Sequence, residues 1–172
     1  TQNFTTATNS NNTAVGHQAL TNASSGQGNT AIGKATMTAV VTGSNNTAVG
    51  IYALNANTSA SNNVAVGVNA LVTNNTGATN TAVGSETLYS NTTGDYNIAL
   101  GITALGANTT GDNNVGIGRL ALTNNTTGTR NIAIGTEAYA GSDTEIDNIA
   151  IGYQAMTTNT AGGQYNTAIG NY

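Results

Sequence analysis

Polar and apolar positions alternate in a short segment that returns ten times along the chain: Asn, a β-branched residue, a small residue, an aliphatic residue and Gly. It reads NNTAVG at Asn11 to Gly16 and again at Asn45 to Gly50, with NVAVG and NIAIG among its variants. The closing glycines are Gly16, Gly33, Gly50, Gly67, Gly84, Gly101, Gly118, Gly135, Gly152 and Gly170, separated by eight intervals of 17 residues and a last one of 18. Asn stands four residues before every one of them, from Asn12 to Asn166. The residue before the Gly is always Val, Ile or Leu, and the one before that is Ala in every copy except at Gly116. Four residues after the Gly comes Leu, Met or Tyr, as at Leu54, Met37 and Tyr139, and seven before it a second Gly stands in seven copies.

This period decides the fold class. A helical hairpin needs a longer unit and a spacing of 3.6, whereas short alternating segments rich in Val, Ile and Thr, bounded by Gly and Asn turns, predict strands. A 17-residue coil has room for two strands of four or five residues and two turns. The expected architecture is therefore all-β: a parallel β-solenoid, or β-roll, of about ten coils, in which residues 1 to 172 form one repeat domain. Equivalent residues of successive coils stack into columns about 4.8 Å apart. Asn suits a buried column because its amide can bond to the next coil, and the closing Gly can take the positive φ of a tight corner.

Alternation along the strand sends Asn and Ala to one face and the residues three and one before the Gly to the other. In later coils that second set is aliphatic at both places, as in Ile98 with Leu100 and Ile132 with Ile134. Together with the Leu column this is more apolar surface than one thin coil encloses, so a partner is expected, most simply further copies around a symmetry axis. Which column lines the roll and which meets the partner is not decided by alternation alone. The chain starts part-way through a coil and stops just after an intact strand segment, which predicts a piece of a longer fibre or ends that dock on other subunits.

Composition narrows the function. Only 6% of residues are charged, against the usual quarter or so, and 22 are Gly, with no Pro, Cys or Trp. Solubility rests on Asn, Thr and Ser. A net charge of −4, with Lys34, Arg119 and Arg130 as the only basic residues, speaks against nucleic acid or an anionic membrane as partner. No run reaches the roughly 20 apolar residues that span a bilayer, and the first ten residues lack the features of a signal peptide.

Candidate chemistry is sparse. His17, the single histidine, has no neighbouring partner for base catalysis. Asp143, Glu145 and Asp147 offer hard oxygens for calcium at alternate positions, but too few for a complete loop, so an exposed acidic turn is expected. Asp95 and Asp112 lie 17 apart and should stack, which is unfavourable unless they are solvated or bridged by a cation; Arg130 and Asp147, also 17 apart, should pair. Glu86 and Glu137 share a unit position three coils apart, too distant for a glycosidase pair. Tyr52, Tyr89, Tyr96, Tyr139, Tyr153 and Tyr165 occupy five different unit positions and form no aromatic stripe. An ice-binding face would need an unbroken Thr column, but Thr13, Thr30, Thr47 and Thr81 give way to Val or Ile in five other coils. No catalytic, cofactor or metal residue is assigned, and no enzymatic activity is expected.

The run NTAVG, NIAIG or NVAVG followed by two variable residues and Ala resembles the YadA-like head repeats of trimeric autotransporter adhesins. The longer phrases TTGTRNIAIGTEAY and NTTGDYNIALGITAL are similar to repeats in the shafts of phage tail fibres. The likeness covers nearly all of residues 12 to 170. It implies a parallel β-roll packed as a homotrimer, extracellular, on a cell surface or on a virion, providing mechanical extension and attachment to a host receptor or glycan. The alternative is a self-polymerising filament subunit stacked head to tail; an ice-binding solenoid and a tailspike hydrolase are less favoured.

Overall fold

The computed structural model describes residues 11–39, 41–141, 143–157 and 163–172. Each repeat segment forms one three-residue strand: β1 (Thr13–Val15), β2 (Thr30–Ile32), β3 (Thr47–Val49), β4 (Val64–Val66), β5 (Thr81–Val83), β6 (Ile98–Leu100), β7 (Val115–Ile117), β8 (Ile132–Ile134), β9 (Ile149–Ile151) and β10 (Thr167–Ile169). They pair in chain order as one ten-stranded parallel sheet. Register follows the 17-residue step, with Ala48 against Ala65 and Ala65 against Ala82, and it is kept across the 18-residue step, with Ala150 against Ala168. The chain is thus a β-solenoid, and no helix occurs among the described residues.

The second strand expected in each coil is absent from the described residues. The residues two and four after the closing Gly take left-handed conformations, as in Tyr52 (φ 60) and Leu54 (φ 48), and so does the residue before the Asn, as in Asn62 (φ 61). Alternating left-handed residues wind the chain into a run of turns, which cannot stay extended. Backbone pairing between coils persists there: the Leu54 amide donates to the Ala70 carbonyl at 3.0 Å and the Ala56 amide to Val72 at 3.0 Å. A left-handed Leu costs about 1–2 kcal/mol. Here it is offset by full burial, since Leu54, Leu71, Leu88, Leu105 and Leu122 are all inaccessible to solvent.

Thr79 shows the same conformation at an exposed position, φ 59, with a β-branched side chain that makes no hydrogen bond among the described residues. The equivalent residue is Asn at Asn45, Asn62 and Asn113, and Asn tolerates this region. Thr79→Asn is expected to stabilise the solenoid by about 0.5–1 kcal/mol, read as a raised denaturation midpoint. A midpoint that falls would count against conformational strain at this corner.

The core is narrow and layered. Strand alanines such as Ala65, Ala82 and Ala99 face the Leu column, with Ala53, Ala70, Ala104 and Ala121 beside it. The closing glycines stand at the corner with φ between 124 and 140, so the demand for Gly is conformational. It is also steric: a Cβ on Gly101 would lie 2.7 Å from the Gly118 carbonyl carbon and oxygen of the next coil.

Candidate assembly face

The direction of every strand side chain is set by the repeated Asn. Asn97 is fully buried; its Oδ1 accepts the backbone N–H of Asn114 (2.9 Å), and its Nδ2 donates to the carbonyl of Gly111 (2.8 Å). The same pair of bonds recurs at Asn29, Asn46, Asn63, Asn80 and Asn114. The ladder is therefore chiefly side chain to backbone. Amide-to-amide bonds of 3.0–3.2 Å, such as Asn46 Nδ2 to Asn29 Oδ1, are added to it.

A second ladder escaped the reading of the sequence. Asn57, Asn74, Asn91, Asn108 and Asn125 stand seven residues after the closing Gly and are fully buried. Each donates through Nδ2 to the carbonyl three residues on, and Asn91, Asn108 and Asn125 donate also to the Oδ1 of the Asn before them. The signal was present as five Asn at intervals of 17, hidden among the many other Asn of the turns.

With Asn and Ala held inside, the residues three and one before the closing Gly face outward along the whole sheet. The question of which apolar column lines the roll is thereby decided: the Leu column is internal, and the strand aliphatics are external. Val15 is 46% exposed and Ile98 41% exposed. From β6 to β9 both outward positions of every strand are aliphatic, and no outward strand position carries a charge. Next to them, one residue after the closing Gly, Ile51, Val68 and Ile102 are exposed as well. Thr13, Thr30, Thr47 and Thr81 stand on this same face, interrupted by Val64, Ile98, Val115, Ile132 and Ile149, so the hydroxyl array is broken.

Charges flank the stripe. Arg130 holds Asp147 with two bonds, Nε to Oδ1 at 2.6 Å and Nη2 to Oδ2 at 2.8 Å, as the register predicts. The bonded guanidinium keeps the Asp147 carboxyl below its usual range. Its contribution to stability is therefore present above the ordinary carboxylate range and is lost as pH falls through the lowered value. Arg119 pairs with Glu137 at 2.6 Å across an 18-residue offset that the 17-residue register does not foretell.

The remaining acidic residues find separate partners. Asp95 and Asp112 stack as expected, and each accepts a backbone N–H of the preceding coil, from Ala78 (2.6 Å) and Asp95 (2.7 Å) respectively. Those bonds engage one oxygen of each carboxylate. Asp143 accepts from the Thr126 hydroxyl. Glu145, expected in an exposed turn, is 3% exposed and accepts the Asp143 and Thr144 amides through Oε2. Asp143, Glu145 and Asp147 do not converge, and no group of three potential metal ligands is found among the described residues. His17 is exposed, at the corner after β1.

Comparison with protein-family models, with curated proteins and with solved structures finds no match to this chain.

Proposed function

We propose that this chain is a structural and adhesive segment of an extracellular or virion fibre, non-enzymatic, and assembled as a homotrimer through the outer face of its sheet. The observation that carries this reading is the uncharged outer face along ten strands, with one aliphatic column unbroken throughout and the second aliphatic from β6 to β9. It is roughly 43 Å long for nine steps at the strand spacing. Stripes of this extent mark association surfaces. A flat face whose two outward columns recur in every coil, one always aliphatic and the other Thr, Val or Ile, suits a closed symmetric assembly in which each copy offers the same columns. A stiff rod with a mostly neutral polar surface is suited to spanning distance rather than to chemistry.

Light scattering with negative-stain imaging tests the reading. The expected result is a mass three times 17.1 kDa and short rods of uniform length. Ile132→Lys with Ile134→Lys should give monomers with the same far-ultraviolet spectrum, because both side chains point away from the core. A monomeric parent at high concentration would overturn the assembly. A dimer would replace three-fold by two-fold packing of the same face, and long filaments would favour head-to-tail stacking instead.

A further inference from the structure

One residue past the exposed row of Val68 and Ile102 that borders the apolar stripe, a notch of about 220 Å³ is lined by Asn69, Glu86, Tyr89, Thr103 and Gly106. We propose that it binds a neutral hexopyranose residue of a surface glycan. Three observations carry this. Asn69, Glu86 and Thr103 occupy one column in consecutive coils, two residues after the closing Gly, so an amide, a carboxylate and a hydroxyl stand in a row at about 4.8 Å intervals. That spacing is close to the distance between alternate equatorial hydroxyls of a hexopyranose.

None of the three side chains makes a hydrogen bond or ion pair among the described residues. The contrast within the column is informative. Glu137, at the same unit position as Glu86, has both oxygens engaged, by Arg119 at 2.6 Å and by Gln154 at 2.7 Å. Glu86 keeps its acceptors for a ligand.

The third observation is the wall. Tyr89, 43% exposed, stands five residues after its closing Gly, and the same position in the next coil is Gly106. Gly106 is buried and forms the floor of the notch beside the ring, with the Thr103 methyl packed against it. Tyr89 supplies the aromatic surface on which the C–H face of a sugar packs, and the polar row supplies hydroxyl partners; this combination is usual in small recognition sites. A free carboxylate accepts hydrogen bonds from neutral hydroxyls and repels an acidic sugar, so the site selects an uncharged hexose.

This deepens the adhesive part of the proposed function and rests on it. Saturation-transfer NMR on the full chain with methyl β-glucopyranoside, methyl β-galactopyranoside, methyl α-mannopyranoside and methyl β-glucuronide provides the test. At least one neutral glycoside should bind, with a Kd on the order of millimolar, and the glucuronide should be markedly weaker. Tyr89→Ala and Glu86→Gln, both at exposed positions, should each weaken binding by about tenfold with the circular dichroism unchanged. No transfer to any neutral glycoside, or equal transfer with both variants, overturns the proposal. The mass of the same sample keeps the two readings apart. A trimer that binds no sugar removes the notch and leaves the assembly, whereas a monomer that binds sugar does the reverse.

Discussion

Asn97→Ala is expected to destabilise the solenoid by about 3–5 kcal/mol, measured by denaturant unfolding. The substitution removes the acceptor of the Asn114 backbone N–H and of its Nδ2, and it removes the donor to the Gly111 carbonyl. All of these groups lie where water does not reach, so each is left with an unmet desolvation cost. Asn97→Asp should be no milder. It restores the acceptor but not the donor, and it buries a charge in a ladder that contains no cation. Thr110→Ala is the control, an exposed residue whose hydroxyl makes no bond among the described residues, and it should stay within about 0.5 kcal/mol of the parent. If Asn97→Ala behaved like the control, the ladder would be decoration and the Ala and Leu columns alone would hold the coils together.

The second large effect is expected at the corner. Gly101→Ala meets two obstacles, a backbone at φ 124 that L-residues rarely adopt and a Cβ 2.7 Å from the next coil's carbonyl. Conformational strain of about 1–3 kcal/mol and overpacking of similar size should add to about 3–5 kcal/mol. Gly170→Ala separates the two causes. Gly170 shares the conformation at φ 139, but a Cβ there meets nothing within 4 Å, so only the strain should register. Equal losses at both positions would mean that steric approach between coils contributes nothing.

The fold was legible because its two strongest constraints are absolute. The ladder admits only Asn, and the corner only Gly, so Asn12 to Asn166 and Gly16 to Gly170 display the period without exception. What the sequence did not disclose depends on geometry that residue types carry weakly. Left-handed φ at Leu54 and Tyr52 has no residue signature, since neither side chain is typical of that region, and the expectation of a second strand failed for this reason. The burial of Glu145 was equally hidden: seen along the chain, it sits among turn residues between two aspartates. Alternation separated the strand's two faces but not inside from outside; that required the turn side to be folded back over Ala and Leu. The notch at Glu86 and Tyr89 was not legible because its residues belong to three coils. Tyr89 belongs to no aromatic column, so the period does not single it out.

The constancy of the register has a genetic counterpart. Because strand pairing joins each residue to its equivalent one coil away and the Asn bonds recur at the same offsets in successive coils, neighbouring repeats make equivalent contacts, and every step but the last is encoded by a stretch of 17 codons. Unequal recombination between two such stretches removes or adds a complete coil, leaving the ladders unbroken and changing the rod by about 4.8 Å. A gene built this way can alter its product's length in uniform increments, whereas a deletion that breaks strand register, unlike the 18-residue step that keeps Ala150 against Ala168, shifts Asn out of the interior.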